Sequence, residues 1–391
     1  MRPHHRIFGV FFIFALSMGA LLSRLPDLQR QLDLSEGQLG LTLIAMSCGA
    51  LVALTFSGPL IARTTARTGV FVTIFGASVL YALVPFMPSA ILVAPLFFVS
   101  GLFAGAVEVI VNLEADRLEA QLGYRIMSRT HGMWSLGFFV TALISAGVRQ
   151  LGVPMQIHLV VALVVVVIAG TIVFRGIENA PLRPDSHGGD TPLIAFPTLG
   201  LAALCIIGAA PLLAEGAGID WSAIYMRDVF GVEPFIGGLS VTVFSLFMAI
   251  ARLTMDPVVD RFSPRTVAAT LLAIAIAGLV LVALAPHEYV ALVGFALTGI
   301  GCSAVYPLAV SAAAQRTDRP ASVNVASLGQ MTFVVFFLGP PLLGFVAERF
   351  GIRTSYWVVV PLLVAALLAI RALPSSQAKL VGRPEPATPH G

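Results

Sequence analysis

GPLIARTTAR, at Gly58–Arg67, returns 198 residues later as DPVVDRFSPR, at Asp256–Arg265, and each copy lies between two long apolar stretches. Both arginines of the first copy align with arginines of the second. A further pair, GLFAGAVE at Gly101–Glu108 and GIGCSAVY at Gly299–Tyr306, repeats at the same offset of 198 residues. Two separated pairs at one offset indicate that the second half of the chain duplicates the first.

Apolar stretches fill most of the remaining sequence. The 391-residue chain is 58% hydrophobic and 11% charged, with a mean hydropathy of +0.93, which is more apolar surface than a soluble protein could bury. A spanning helix needs about 17–25 apolar residues, and unbroken runs favour helices over alternating barrel strands. We predict twelve spans, at residues 7–23, 38–61, 69–87, 90–114, 130–148, 153–174, 193–215, 235–255, 266–285, 288–314, 321–347 and 355–371.

One long polar segment, RGIENAPLRPDSHGGDTP at Arg175–Pro192, divides the spans into two sets of six. We therefore predict an all-α integral membrane protein with twelve transmembrane helices in two pseudo-symmetric six-helix bundles. The predicted units are an N-terminal bundle at 1–174, a central loop at 175–192, a C-terminal bundle at 193–373 and a disordered tail at 374–391.

The basic residues predict the orientation in the membrane. Of 22 arginines and one lysine, 17 lie at span ends and loops on the side of the N-terminus. By the positive-inside rule, we expect both termini in the cytoplasm and the chain in a bacterial inner membrane. The basic residues form no continuous stripe, so nucleic acid is not an expected partner.

Motifs for ATP binding and for hydrolytic enzymes are absent, because the sequence contains no GxxxxGK[ST], HExxH or GxSxG pattern. The cysteines Cys48, Cys205 and Cys302 lie inside apolar stretches, at spacings unlike those of metal ligands. We expect neither an enzyme nor a bound metal or cofactor.

The repeated loop segments resemble the signature Gly-x-x-x-Asp-Arg-x-Gly-Arg-Arg of the major facilitator superfamily, found between helices 2 and 3 and, more weakly, between helices 8 and 9. In the first copy Ala62 replaces the acid and Thr65 the second glycine. The second copy keeps the Asp-Arg pair but has Asp256 and Ser263 in place of glycines. The segments at 23–26, 128–137 and 214–228 look like the branch that contains MosC and YbjJ, which is distantly similar to proton-coupled fucose permeases.

This resemblance implies a monomeric carrier in the lipid bilayer, in which two bundles give alternating access to a small-molecule solute and to protons. It also implies gate residues at the cytoplasmic ends of helices 2 and 8. Arg252 and Asp256, one turn apart, are predicted to pair at the inner end of helix 8. The other predicted inner-gate residues are Arg63, Arg67, Asp260, Arg261 and Arg265.

Glu108 is the most costly residue to place in lipid, because it lies inside the apolar segment AGAVEVIVN. A buried carboxylate there must face the bundle interior, where it either carries the coupled proton or has a purely structural role. Asn112 lies one turn further on the same face and binds either a solute hydroxyl or Glu108 itself. His131, at the start of helix 5, is a candidate proton relay or an interfacial side chain.

Four more residues are candidates for substrate binding. Trp134 offers a stacking face, or an interfacial anchor, and Tyr306 occupies the duplicated position of Glu108 with a phenol beside Pro307. Asn324 and Gln330 in helix 11 are polar groups expected to face inward, although their spacing does not place them on one stripe.

An outer gate is predicted around helix 7. Gly216 and Gly218 are expected to weaken the helix near its outer end, after Glu215, so that its outer half is broken and can act as a gate. Trp221 and Tyr225, four residues apart, are expected on one face of this segment. Arg24 and Arg30 on the outer side are candidate partners of Glu215, Asp220 or Asp228 in this gate. The alternative is a plain loop with an aromatic belt.

These features favour a secondary active transporter that takes up a small polar neutral solute, such as a sugar or sugar derivative, with a proton. No arginine or lysine lies deep in a predicted span, which disfavours a multiply anionic solute. A proton-driven efflux carrier and a non-transporting membrane sensor are the alternatives.

Overall fold

The computed structural model describes residues 2–61, 63–123, 126–181 and 195–375, and within these ranges its regular structure is helical. Twelve helices are long and apolar enough to cross a membrane, which confirms the predicted number. They run, as α1 to α12, Pro3–Gln31, Glu36–Phe56, Ala66–Phe86, Ala90–Leu122, Arg129–Gln150, Met155–Phe174, Leu199–Phe230, Pro234–Met255, Pro264–Leu284, Glu288–Ala314, Val323–Phe350 and Ile352–Ala372.

Five spans are composite, and two of them, α3 and α12, end in short 3-10 helices at Val84–Phe86 and Ala369–Ala372. Span α1 consists of helices Pro3–Leu22 and Leu25–Gln31, and α10 of helices Glu288–Cys302 and Val305–Ala314. In α7, a π-helical turn at Ala217–Trp221 joins helix Leu199–Gly216 to helix Ser222–Phe230. Three helices extend past their spans: that of α5 begins at Met127, that of α8 ends at Arg261 and that of α11 begins at Ala321.

The duplication is visible in the helix caps. Thr65 accepts a hydrogen bond from the backbone N–H of Thr68 at the start of α3, over 3.2 Å. Ser263 does the same for Thr266 at the start of α9, also over 3.2 Å. Both pairs lie 198 residues apart. Thr65 and Ser263, which both replace the second glycine of the family signature, therefore serve as N-caps and satisfy otherwise unpaired N–H groups.

Two close contacts between helices are also related by the offset of 198 residues. A Cβ atom on Gly101 of α4 would overlap the carbonyl oxygen of Met46 in α2. A Cβ atom on Gly299 of α10 would overlap the carbonyl oxygen of Phe244 in α8. Each glycine thus lets two backbones approach within one half of the molecule, as small residues do in membrane helix pairs.

The two halves, α1–α6 and α7–α12, meet mainly where α5 packs on α8 and α2 on α11. We call the side that carries both ends of the described chain the terminus side, and the other the opposite side. On the opposite side, Gly40 of α2 lies against the backbone of Pro340 in α11, and Ala146 of α5 against Gly238 of α8. The halves are therefore closed against each other on the opposite side.

Short segments next to the central loop are fixed to their own halves. The backbone N–H of Ala180 donates to Glu114 of α4 over 2.7 Å, and that of Ala195 to Gln330 of α11 over 2.8 Å. Residues 182–194, most of the predicted loop, and residues 376–391, most of the predicted tail, lie outside the described residues. The predicted domain boundaries stay predictions.

Candidate functional site

Six polar side chains from four helices form a continuous chain of contacts where the two halves meet. We call this set the central polar cluster. Helices α4 and α5 contribute from the first half, and α7 and α8 from the second. Its members are Glu108, Asn112, His131, Ser135, Glu215 and Arg252.

The first-half part of the cluster is built around Asn112. Its Nδ2 atom donates to Glu108 Oε1 over 2.9 Å, and its Oδ1 atom lies 3.2 Å from His131 Nε2. Because an amide oxygen only accepts, His131 Nε2 must carry the proton in this arrangement. The ring of His131 also packs on Phe11, with centroids 5.0 Å apart. Glu108 as a whole residue is half-buried.

Arg252 links the two halves. Its Nη1 atom donates to Ser135 Oγ over 2.8 Å, and its Nη2 atom lies 3.2 Å from Glu215 Oε2. Its Nε atom donates to the carbonyl oxygen of Ser303 over 3.2 Å. That carbonyl is available because Pro307, four residues later, has no N–H to donate to it, and α10 is interrupted there. The side chain of Arg252 is 14% exposed.

The predicted position of Glu215 was wrong. We expected it near the outer end of helix 7, as a candidate partner of Arg24 or Arg30, but it lies in the middle of α7 and pairs with Arg252. The physical reason is the π-helical turn, which carries the helix through Gly216 and Gly218 instead of ending it. Gly218 permits the path, because a Cβ atom there would meet the buried ring of Phe244 at 2.6 Å.

The predicted role of Arg252 was also incomplete. We expected a pair with Asp256 at the inner end of helix 8, whereas Arg252 contacts three groups of the interior. The side chain of Asp256 lies outside the described residues. Arg252 lies near the end of the span of α8, which ends at Met255, and its side chain nevertheless reaches these interior groups.

The sequence is similar to a known family and to several known proteins. The family model "Major Facilitator Superfamily" matches residues 201–389. The second half of the chain therefore matches the major facilitator superfamily, as the sequence resemblance predicted. It is 29% identical over 373 residues to the "Uncharacterized transporter y4wD" of Sinorhizobium fredii, which covers 95% of this chain and 98% of that protein. It is 28% identical over 366 residues to "Membrane protein MosC" of Rhizobium meliloti, covering 90% and 85% of the two chains.

Solved structures share the fold of this chain. A D-xylose–proton symporter gives a TM-score of 0.76 at 12% identity, covering 95% of this chain and 97% of that one. The transporter FucP in its outward conformation gives 0.62 at 18% identity, covering 95% and 98%. The nucleoside transporter NupG gives 0.68 at 13% identity, covering 95% and 99%. These likenesses confirm the fold. The family-model match and the curated relatives confirm the predicted family resemblance and indicate a multi-pass membrane transporter rather than an enzyme.

Two predicted outer-gate aromatics of this transporter lie inside the second half. Tyr225 is 0% exposed, donates to the carbonyl oxygen of Val282 over 2.6 Å and packs on Phe295 and Tyr356. Trp221 is 1% exposed. The predicted break in helix 7 was wrong, because the π-helical turn keeps α7 continuous, and both rings lie in the packed core.

Arg24 does not reach α7. It is buried in the first half, 3.2 Å from Asp27, which also binds Arg149 over 3.0 Å. The halves are instead joined on the opposite side by Arg227, which donates to Gln29 over 2.9 Å. Gln150 likewise donates to Glu233 over 2.6 Å. Neither contact can be recognised in the sequence, because each joins two residues that only tertiary folding brings together.

Of the predicted substrate-binding residues, Trp134 and Tyr306 lie near the cluster. Trp134 stacks beside Phe138 with centroids 5.0 Å apart, and Tyr306 is within electrostatic range of Glu108. Asn324 and Gln330 lie elsewhere. Asn324 donates to Asp318 over 3.1 Å in the loop before α11, and Gln330 accepts from the backbone of Ala195. The prediction that these two face a solute is not supported by their positions.

The remaining predicted inner-gate residues lie on the terminus side. Arg63, Arg67 and Arg261 are exposed there. Arg265 donates to the carbonyl oxygens of Leu373, over 3.0 Å, and of Arg371, over 2.9 Å, and so fixes the start of α9 to the end of α12. The side chain of Asp260 lies outside the described residues. A gating role for this group stays a prediction.

Proposed function

We propose that this transporter takes up a small polar neutral solute, of the sugar or sugar-derivative class, together with a proton carried by Glu108. The observation that carries the proposal is the half-buried residue Glu108, whose carboxyl group is bonded to Asn112 at the junction of the two halves. An ionisable group retained at such a position in a membrane protein is functional by default.

The charges of the cluster support a neutral solute. Arg252 is matched by Glu215. When Glu108 is protonated and His131 is neutral, the cluster carries no net charge, and a neutral solute adds none. A multiply anionic solute would have to displace Glu215 from Arg252 and would leave a carboxylate unpaired in the interior, which is costly.

The structural neighbours support the same class of solute. They include a D-xylose–proton symporter, a fucose:proton symporter and a nucleoside transporter. The hydroxyl groups of such solutes match the amide, imidazole and indole groups of Asn112, His131 and Trp134. We further propose a monomer in the bacterial inner membrane, with the terminus side in the cytoplasm, from the excess of basic residues on that side.

The test is transport by purified protein in proteoliposomes, screened against a panel of sugars, polyols and nucleosides. For the solute that is taken up, Glu108→Gln is expected to abolish accumulation driven by a pH gradient, while exchange without a gradient persists. Glu288→Gln, which neutralises a carboxylate at the start of α10, is the matched control and is expected to transport normally. Undiminished gradient-driven uptake by Glu108→Gln would show that Glu108 does not carry the proton.

A further inference from the structure

We propose that Arg252 is a charge switch: it pairs with Glu215 while Glu108 is protonated, and transfers to Glu108 when that proton leaves. The inference rests on the proposed proton role of Glu108 and deepens it, because it states how the proton is coupled to the movement of the halves.

A series of hydrogen bonds connects Arg252 with Glu108. From Arg252 the path runs through the hydroxyl of Ser135, which lies one helical turn after His131 and donates to its carbonyl oxygen over 3.3 Å. His131 bonds Asn112, which bonds Glu108. Glu108 is already within electrostatic range of both Arg252 and Glu215. The guanidinium group of Arg252 stays charged and presents five donors in a planar fork that matches a carboxylate.

Glu108 and Arg252 also lie at similar positions along their helices, as a direct ion pair between them requires. Glu108 is the nineteenth residue of the helix that begins at Ala90, and Arg252 the nineteenth of the helix that begins at Pro234. Both helices run from the opposite side towards the terminus side. At a rise of about 1.5 Å per residue, the two side chains lie at similar depths.

The exchange changes which parts of the protein are held together. Glu215 and Arg252 both belong to the second half, so their ion pair lies within one half. Glu108 belongs to the first half, so an ion pair between Arg252 and Glu108 would cross the interface. Loss of the proton therefore adds an attraction between α4 and α8, which favours closure of the halves on the terminus side.

Other polar groups at the cluster do not offer Arg252 a competing negative charge. His131 donates its Nε2 proton to Asn112, and Cys302 and Tyr306, which lie near Glu215 and Glu108, are neutral side chains at physiological pH. Arg252 thus pairs with Glu215 over 3.2 Å and donates to the neutral hydroxyl of Ser135 over 2.8 Å.

The experiment measures a distance between the halves without any solute. Spin labels are attached at Gln121→Cys, at the exposed end of α4, and Phe262→Cys, just after α8, with Cys48, Cys205 and Cys302 replaced by serine. Double electron–electron resonance is recorded in nanodiscs from pH 5 to pH 9. In the parent, the population with the shorter distance is expected to grow as the pH rises.

Three variants separate the possibilities. Arg252→Gln is expected to abolish the pH response, and Arg252→Lys to retain it in part because it keeps the charge. Glu215→Gln is expected to show the shorter distance already at pH 5, since Arg252 has lost its other partner. Arg316→Gln, which breaks an ion pair with Asp318 inside the second half, is the matched control and should respond as the parent does.

A response that persists in Arg252→Gln, or a parent without one, would overturn the switch. If Glu108→Gln also keeps the response, the proposed proton role of Glu108 fails as well. If Glu108→Gln abolishes it and Arg252→Gln does not, the proton role stands and only the switch is lost. An Arg252→Gln protein that does not fold leaves Arg252→Lys and Glu215→Gln to decide, and a parent-like response in both contradicts the proposal.

Discussion

Single residues of the duplicated halves have diverged where the chemistry is concentrated. Glu108 of the first half corresponds to Tyr306 of the second, and Arg252 of the second corresponds to Leu54 of the first, at the offset of 198 residues. One half therefore supplies the acid that we propose carries the proton, and the other supplies the cation. The caps and packing glycines kept the symmetry because both halves need them, whereas a charge is needed only once at a shared interface.

Asn112 is the residue on which the first-half side of the cluster depends. It holds Glu108 and His131 through opposite ends of one amide. We expect Asn112→Leu to lower the rate of proton-coupled uptake about 10-fold or more, because hydrogen bonds to charged groups contribute about 1.5–3 kcal/mol. Initial uptake rates in proteoliposomes measure this. Thr254→Ala, which removes a hydroxyl bonded only within its own helix, is the control. A rate equal to that of the control would contradict the prediction.

At the scale of the element, the π-helical turn in α7 decides where the polar groups lie. It inserts its extra residue between Glu215 and the aromatic segment that follows. Such turns are rare and occur frequently at functional sites. Here the turn keeps α7 continuous, leaves Glu215 facing Arg252 and directs Tyr225 into the core.

Two neighbouring glycines test this description of α7. In Gly218→Ala the new methyl group would meet the ring of the fully buried Phe244, so we expect destabilisation by about 1–3 kcal/mol. Nothing lies within 4 Å of the Cβ position of Gly216. Gly216→Ala should therefore be neutral or stabilising by up to about 1 kcal/mol. Thermal unfolding of both proteins in detergent measures the difference, and equal melting temperatures would show that α7 does not pack on α8 in this way.

At the scale of the whole molecule, three contacts between the halves close the opposite side. Arg227 with Gln29, Gln150 with Glu233 and Gly40 with Pro340 all lie on the opposite side. Transport by alternating access requires these contacts to separate, because the site must open to each side in turn. The opposite side is thus held by polar contacts together with close backbone packing.

Gly40 offers a direct test of this closure. Its Cβ position lies 2.6 Å from the backbone oxygen of Pro340 in the other half, which cannot rotate away as a side chain can. We expect Gly40→Ala to shift the population towards separation on the opposite side. Spin labels at Leu151→Cys and Tyr289→Cys, both exposed on that side, report the distance. Gly147→Ala, on α5 with nothing within 4 Å of its Cβ position, is the control and should not lengthen the distance. An unchanged distance in Gly40→Ala would contradict the closure.

The sequence alone determined the membrane class, the number of spans and the duplication, because each depends on local composition or on a repeat that can be read along the chain. It also identified Glu108, Asn112 and His131, since a polar residue in an apolar run must turn inward wherever the helix packs. It missed the partner of Glu215, the interior position of Arg252 and the burial of Tyr225. Those depend on a π-helical turn and on a carbonyl freed by Pro307, which act only when α7, α8 and α10 pack together. The hydropathy of each segment thus determined which polar residues face the interior, and the packing of the helices determined which of them form contacts.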